Sequence, residues 1–366
     1  MASVRQVPWA QVYLGAEEKE QILDCLQSGW YSMGPKVTEL ERLIGAYVNS
    51  KFAIAVNSGT AALDVALMVL GVKSGDEVIL PAFTYIATAN AVIYRHATPV
   101  FADVDPDTFT IDARQIEARI TKKTKGIIAV DYAGQGPDYQ DLKMLAKARE
   151  LFLLEDAAPS LGGRQRGQMY GTFGDVGITS FHAAKVFTTI EGGMLFTQIE
   201  DYDRNARIIR SQGELPTQKY EHPFVGHNYR MTDLHAAIGI GQFSRIDALF
   251  AKRRSIAERY SDGLRGLDRI KLPVVSDYNE HAFFLFPILV DNRDGLRRFL
   301  AQEGISTNIS WPKPVYWQQP YKEYAKHRCA IAEHVCDHVL CLPIYFRIAN
   351  DQQEYVIEKI KTWSRR

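Results

Sequence analysis

Short apolar runs alternate with segments of helical periodicity between about residues 50 and 200, and this alternation is the strongest constraint on the fold. Continuous apolar runs bounded by turn residues are typical of strands buried on both faces of a sheet. Strands that alternate with helices predict a mostly parallel sheet wrapped by helices. The predicted strands are 52–56, 76–81, 99–104, 125–132, 151–156 and 175–181. We therefore expect an α/β fold built on a large parallel sheet.

The chain beyond this region has a different pattern. Apolar residues recur at three- and four-residue spacing through 228–264, which predicts one long helix. The remainder, including an apolar run at 281–290 and helical patterns at 293–305 and 351–363, is typical of a smaller α+β domain. With 366 residues available, we expect a large domain over 1–245 and a small C-terminal domain over 246–366.

The composition excludes several classes of partner. The chain is 46% hydrophobic and 23% charged with a formal net charge of zero, as in ordinary globular proteins. No basic excess indicates nucleic acid or an anionic membrane. The N-terminus lacks the apolar core of a signal peptide, and no apolar run approaches the roughly 20 residues of a membrane span. We expect a cytoplasmic protein that binds neither nucleic acid nor membrane.

Four cysteines are too few for a disulfide framework in a chain of this size. His334 and His338 have the i, i+4 spacing that two metal ligands on one helix face would need. However, the surrounding stretch has an amphipathic helical pattern, in which cysteines usually pack as small apolar residues. We predict no metal site. The cysteines are Cys25, Cys329, Cys336 and Cys341.

The usual nucleotide and hydrolase motifs, G-x-x-x-x-G-K-[ST], G-x-G-x-x-G and G-x-S-x-G, are absent from the sequence. The stretch "NSGTAAL" remains as a candidate ligand site, because Gly59 permits a sharp turn between Ser58 and Thr60 as a helix begins. Free N–H groups at a helix N-terminus bind phosphate. The same residues also suit an ordinary helix cap.

Four further residues indicate what that turn could bind. The strand "LFLLED" ends in Glu155 and Asp156, at the sheet edge where parallel sheets bind ligands. Lys185 follows another predicted strand, and Tyr85 follows a third. Pyridoxal phosphate requires a lysine for its aldehyde, an acid for its ring nitrogen and a dipole-rich cradle for its phosphate. The sequence therefore predicts a pyridoxal phosphate site, with Tyr85 as an aromatic face over the ring.

The residues in nearly the whole chain resemble the DegT/DnrJ/EryC1/StrS group of sugar aminotransferases. The resemblance is carried by "GWYSMGPKVTELERLIGAYV", "NSGTAALDVAL", "GDEVILPAFTYIATANAV", "EDAAPSLGG", "GTFGDVGITSFHAAKVFTTIEGGML" and "NYRMTDLHAAIG". It implies the aspartate aminotransferase architecture (fold type I), with a large domain that carries an N-terminal arm and binds pyridoxal 5'-phosphate.

The resemblance also implies residue roles. Lys185 would form a Schiff base with the cofactor and then move a proton between the amino donor's α-carbon and the cofactor. Asp156 would bind the pyridine nitrogen and Tyr85 would stack on the ring. The phosphate would be held by Gly59, Thr60 and Ser180, with Asn228 reaching the site of a second subunit in a homodimer with shared sites.

Some positions depart from the family pattern. Pro159 stands where many members carry Gln, His or Glu, and Ile190 stands where many carry Gly before "EGG". The late substrate loop has Trp311 and Tyr316 where relatives often have Tyr and His. These two, with His182 as a wall residue of the pocket, are the candidate substrate contacts.

The predicted function is amino transfer, with glutamate as donor, to a nucleotide-linked keto-sugar, in the synthesis of surface polysaccharide such as lipopolysaccharide or of antibiotic sugars. The altered loop keeps open a free sugar acid, such as an oxidised octulosonate, as acceptor. Two alternatives remain. A related sugar dehydratase would carry histidine in place of Lys185, and a non-catalytic binding or regulatory protein on this fold would not need the lysine.

Overall fold

The structure is a computed structural model, and it describes residues 5–366. Its helices are α1 Ala16–Ser28, α2 Pro35–Val48, α3 Gly59–Val69, α4 Ile86–Tyr94, α5 Ala113–Glu117, α6 Tyr139–Ala148, α7 Glu200–Ile209, α8 Asp233–Phe243, α9 Ile246–Leu264, α10 Arg293–Gln302, α11 Ala330–His338 and α12 Asn350–Ser364. Its strands are β1 Phe52–Val56, β2 Glu77–Pro81, β3 Thr98–Ala102, β4 Thr124–Val130, β5 Phe152–Asp156, β6 Arg164–Gln165, β7 Gln168–Met169, β8 Val176–Ser180, β9 Gly193–Thr197, β10 Ile270–Lys271, β11 Asn279–Glu280, β12 Pro287–Val290 and β13 Val339–Cys341.

The central sheet of the described chain has seven strands in the order β1-β9-β8-β5-β4-β2-β3. Its strands are parallel except β9, which runs antiparallel to both β1 and β8. The predicted α/β fold with a mostly parallel sheet is confirmed. Strand β9 was not predicted, because the glycine pair at its start is typical of a loop rather than a strand. The carboxyl ends of β4, β5 and β8 meet at one edge of the sheet, which is where such sheets bind ligands.

Helix α3 packs directly on this sheet and is buried almost all round, as expected of a helix whose residues are apolar on every face. Its buried apolar residues are Ala61, Ala62, Leu63, Val65, Ala66 and Leu67. The N-terminus of α3 is thereby held at the carboxyl edge of the sheet, beside the ends of β8 and β9.

The prediction of a single long helix over 228–264 is wrong, since the structure has α8 and α9 with a break between them. Arg245 leaves helical geometry at the break, with φ −129° and ψ 21°. Its guanidinium bonds Glu17 Oε2 at 2.8 Å and also pairs with the buried Glu18, both on α1. Periodicity alone does not reveal this break, because apolar residues keep their three-residue spacing across it.

The C-terminal part contains a second sheet in the order β10-β12-β13, which packs against α10 and α11 and shares a hydrophobic core with α12. A third small sheet joins distant segments, because Asn279 of β11 pairs with Gln165 of β6. The predicted division into 1–245 and 246–366 stays a prediction.

The four cysteines are buried and unbridged. The rings of His334 and His338 lie 4.0 Å apart, and His338 Nδ1 donates to the His334 carbonyl at 2.8 Å. Within residues 5–366, no group of three or more His, Cys, Asp or Glu is arranged to hold a metal ion. None of the helices in that range is both long and apolar enough to cross a bilayer. The cytoplasmic location stays a prediction.

Candidate active site

A cavity of about 390 Å³ opens at the carboxyl edge of the central sheet. It lies where the N-terminus of α3, the ends of β4, β5 and β8, and the C-terminal segment around 308–311 meet. Most of the residues singled out in the sequence contribute to its lining: Ser58, Gly59, Thr60, Tyr85, Asp156, Pro159, Ser180, His182, Lys185 and Trp311.

The "NSGT" turn forms one wall of the cavity. Ser58 is the N-cap of α3, and its hydroxyl accepts from Ala61 N–H at 3.1 Å. The backbone of Gly59 passes so close to Ser180 that an added Cβ would lie 2.9 Å from the Ser180 Cβ. The cap and the phosphate-binding interpretations are therefore compatible, because the cap uses Ser58 while the first N–H groups of the helix keep no intrahelical partner.

Gly193 allows the same close approach from the other side. A Cβ on Gly193 would lie 2.5 Å from the Ser58 carbonyl oxygen and 2.7 Å from Gly59 N. Any larger residue at the start of β9 would push the helix terminus out of place. Gly193 therefore allows the start of α3 to pack against β9.

Asp156 projects into the cavity from the end of β5 and is 4% exposed. Thr88 of α4 donates its hydroxyl to Asp156 Oδ2 at 2.9 Å, and Ala158 N–H donates to Oδ1 at 3.3 Å. Burial raises the pKa of Asp156, while the bonds from Thr88 and Ala158 and the charge of Lys185 oppose that rise. A carboxylate in such a place is stabilised most by a cation that enters the cavity.

The neighbouring Glu155 points to the opposite face of the sheet, as strand alternation requires. Its carboxylate accepts from Gly171 N–H and Phe173 N–H, each at 2.6 Å. Burial raises its pKa to about 7 despite these bonds. Glu155 is therefore a structural residue, and only Asp156 of the pair faces the cavity.

Lys185 lies in a loop between β8 and β9 that several hydrogen bonds hold in place. Its N–H donates to the His182 carbonyl at 2.8 Å. Thr188 Oγ1 and Thr189 N–H both donate to the Phe181 carbonyl, at 2.8 and 3.0 Å. Burial lowers the pKa of Lys185 to about 8, against the opposing effect of Asp156. Its amine is thus available in the neutral, nucleophilic form near pH 8.

Ile190, one of the departures from the family pattern, has φ +71°. This left-handed region is unfavourable for a β-branched residue. The conformation is held by its N–H, which donates to Thr188 Oγ1 at 2.8 Å, and by a bridge to His182.

The outer wall of the cavity carries aromatic and polar side chains. Tyr85 precedes α4 and is 61% exposed. His182 accepts from Ala184 N–H through Nδ1 at 3.2 Å, and its Nε2 lies 3.7 Å from Glu191 Oε1. Trp311 packs edge-on against Phe83, with ring centroids 4.7 Å apart. These side chains are placed to meet a substrate that enters from solvent.

Two predicted site residues do not line this cavity. Tyr316 is buried elsewhere: its hydroxyl donates to Glu333 Oε1 at 2.9 Å and accepts from Cys329 N–H at 3.1 Å. The expectation that it contacts substrate is therefore corrected, because its polar group is already engaged in the interior. Asn228 is exposed, and its carbonyl accepts from Asn57 Nδ2 at 3.3 Å. Its expected role concerns a second subunit and stays a prediction.

Sequence reasoning missed two residues that contact the central groups. Thr88 was detectable, since it lies three positions after Tyr85 on the helix that follows the strand. The ring centroid of Phe284 lies 4.2 Å from Lys185 Nζ. This contact could not be detected from the sequence, because Phe284 lies far from Lys185 along the chain.

Comparison with known proteins identifies the family. The profile of the DegT/DnrJ/EryC1/StrS aminotransferase family matches residues 12–361. The chain belongs to this family. Like other DegT/DnrJ/EryC1/StrS members, it is a pyridoxal phosphate-dependent aminotransferase, and the predicted fold type is confirmed.

Three similar proteins show how closely the family is matched. GDP-perosamine synthase of Caulobacter vibrioides is 37% identical over 340 residues, covering 91% of each chain. The UDP-N-acetyl-3-dehydro-alpha-D-glucosamine 3-aminotransferase of Acidithiobacillus ferrooxidans is 35% identical over 342 residues, covering 93% of this chain and 91% of its own. The structure of DesV from S. venezuelae in complex with a ketimine intermediate superposes with a TM-score of 0.95, at 34% identity and 99% coverage of both chains.

The cavity fits the cofactor that this DegT/DnrJ/EryC1/StrS chain uses. Gly59 lies close to Ser180 at the N-terminus of α3, where the first N–H groups of a helix have no intrahelical partner and can bind a phosphate. Asp156 is a buried carboxylate with room for a cationic partner, and Lys185 carries an amine of lowered pKa. Each of the three requirements of pyridoxal phosphate is met by a residue present in this cavity.

Proposed function

We propose that this protein transfers the amino group of glutamate to the carbonyl of a nucleotide-linked keto-sugar. The observation that carries the proposal is the convergence of Lys185, Asp156 and the Gly59–Ser180 cradle on one cavity. A non-catalytic binding protein would have no use for a half-buried lysine of lowered pKa beside a buried carboxylate.

Lys185 would hold the cofactor and then act as the base and acid of the transfer. Pyridoxal phosphate, when bound, supplies an electron sink for the α-carbon of the amino donor. The Lys185 amine, with its pKa lowered to about 8, is suited to take a proton at Nζ and to return it near neutral pH. The loop bonds around His182 and Thr188 keep the amine within the cavity.

Asp156 would bind the ring nitrogen and keep it protonated. Thr88 orients this carboxylate by donating to Oδ2, so the remaining acceptor positions face the cavity. Tyr85 would cover the ring, and Gly59, Thr60 and Ser180 would hold the phosphate at the N-terminus of α3.

Asn228 would complete the phosphate site of a second subunit in a homodimer. Its side chain is exposed and does not line the cavity of its own chain, which is compatible with a partner's site. The proposal is that both subunits contribute residues to each site.

The nucleotide-linked acceptor is supported by relatives whose names specify GDP- or UDP-linked sugars. Trp311 and His182 would contact the sugar, because both line the cavity near its mouth. An aromatic face such as Trp311 suits the C–H face of a pyranose, and His182 can bond its hydroxyl groups. The product would serve polysaccharide or secondary-metabolite synthesis.

An absorbance spectrum of the protein with pyridoxal phosphate tests the proposal directly. We expect a visible band that is lost in Lys185→Ala and that moves to the near-ultraviolet on addition of glutamate. After glutamate has removed the visible band, GDP-, UDP- and dTDP-linked keto-sugars and a free keto-sugar acid are added in separate samples. Return of the visible band identifies the compound that accepts the amino group.

The possible outcomes separate the alternatives. Return of the band only with the free sugar acid overturns the nucleotide-linked acceptor. A visible band that does not change with any amino donor indicates dehydratase chemistry. A folded wild-type protein that forms no visible band indicates a binding protein.

A further inference from the structure

The aromatic ring of Phe284 lies against the amine of Lys185. Lys185 Nζ is 4.2 Å from the centroid of that ring, and both side chains line the cavity together with Asp156. Phe284 comes from the segment between β11 and β12, whereas Lys185 lies between β8 and β9. The contact therefore joins two distant parts of the chain inside the site.

The backbone around Phe284 is held from two directions. Arg253 of α9 donates from Nη1 to the Phe284 carbonyl at 3.0 Å. Leu285 N–H donates to the Ala133 carbonyl at 3.2 Å, and Ala282 N–H donates to the Gly134 carbonyl at 2.9 Å. These bonds dock the segment on the turn that follows β4. The backbone that carries the ring is therefore held by the scaffold independently of the lysine.

An aromatic face interacts favourably with an ammonium group and much less with a neutral amine. At the distance observed here, Phe284 stabilises the protonated form of Lys185 and so opposes the effect of burial, which lowers the pKa of Lys185 to about 8. Asp156 of β5 acts in the same direction as the ring.

Other titratable and charged groups also surround the amine. Those that line the cavity are Asp156 from β5, His182 and Glu191 from the lysine loop, Tyr85 before α4 and Tyr132 after β4. Arg253 of α9 adds a cation behind the Phe284 carbonyl. A test must leave all of these side chains in place and alter only the ring.

We propose that Phe284 is a positioning residue for Lys185: its ring holds the protonated amine against the cavity wall and thereby sets the pH range in which the amine becomes a nucleophile. The inference rests on the role proposed above for Lys185. The neutral Nζ adds to the aldehyde carbon of pyridoxal phosphate, the C=N bond replaces the C=O bond, and the aldehyde oxygen leaves as water with the two amine hydrogens. Only the unprotonated amine carries out this step.

The test compares Phe284→Leu, which removes the π face and keeps an apolar side chain, with Phe284→Tyr, which keeps the face. The first measurement is the rate at which each apoprotein takes up pyridoxal phosphate between pH 6 and 10, followed by visible absorbance. The second is competitive acetylation of Lys185 in the apoproteins, read by mass spectrometry, which reports the pKa of the amine without the cofactor.

We expect the midpoint of both profiles to fall by about half to one pH unit in Phe284→Leu, so that uptake at pH 7, below the wild-type pKa of about 8, is about three- to fivefold faster than in the wild type. Phe284→Tyr keeps the wild-type midpoint. Phe284→Met replaces the leucine variant if that variant does not fold.

Equal midpoints in the wild type and Phe284→Leu overturn the inference, and so does an equal shift in the leucine and tyrosine variants. A wild-type protein that forms no band dependent on Lys185 overturns the proposed function instead. In that case the acetylation profiles still decide whether Phe284 controls the ionisation of the amine.

Discussion

The backbone of Gly59 lies directly beneath the side chain of Ser180, so that a Cβ on Gly59 would stand 2.9 Å from the Ser180 Cβ and 3.2 Å from its Oγ. This approach joins the N-terminus of α3 to the end of β8 at one corner of the cavity. Hydroxyl and N–H donors there are brought close enough to share one phosphate group.

Gly59→Ala is expected to weaken binding of pyridoxal phosphate by about ten- to a hundredfold, because Ser180 must move and one hydrogen bond to a charged group is lost. A fluorescence or absorbance titration of the apoprotein measures the affinity. Ser58→Ala is the matched control at the preceding position. Its hydroxyl caps the helix, so it should lower the free energy of unfolding by about 1 kcal/mol. An unchanged affinity in Gly59→Ala would exclude this corner as the phosphate site.

Thr88→Val should weaken cofactor binding about tenfold or more, since the buried Oδ2 of Asp156 loses the hydroxyl group that donates to it. Thr88→Ser keeps the donor and should restore most of the affinity. Thr84→Val is a second control. The hydroxyl oxygens of Thr84 and Thr88 lie 2.9 Å apart, so Thr84 acts on Asp156 only through Thr88. Equal affinities of the valine and serine variants at position 88 would show that Thr88 acts through packing alone.

Lys185→Met should stabilise the apoprotein at pH 7 by up to about 3 kcal/mol, because the folded site lowers the pKa of the amine from 10.5 to about 8. Between those pH values the unfolded chain binds more protons than the folded protein, so the wild type gains stability as the pH rises. The advantage of the methionine variant should therefore shrink above pH 8 and vanish near pH 10.5. Urea unfolding of both apoproteins from pH 7 to 10.5 measures this, with the exposed Lys19→Met as control. A difference that does not change with pH would contradict the predicted linkage.

Ile190→Gly should raise the free energy of unfolding by about 1 kcal/mol, because glycine adopts φ +71° without the strain of a β-branched side chain. Ile190→Val retains the branching and should give no such gain. Thermal or denaturant unfolding of the three proteins provides the comparison. If the glycine variant is less stable than the valine variant, the packing of the isoleucine outweighs its strain.

The sequence determined which segments form six of the seven strands of the large sheet, because they are continuous apolar runs that have few other ways to be buried. It also identified Lys185, Asp156 and the "NSGT" turn as candidates for one site. These residues follow strands that point to the same edge of a parallel sheet, so their proximity follows from topology.

Only the tertiary structure decided which side chains face the cavity. Strand alternation directs Asp156 inward and Glu155 away from it, and the buried hydroxyl of Tyr316 is engaged by Glu333. The break between α8 and α9 falls at Arg245, whose guanidinium pairs with Glu17 and Glu18 of α1. The contact between Phe284 and Lys185 joins segments about a hundred residues apart. Such choices rest on long-range packing and charge pairing, which local sequence patterns do not encode.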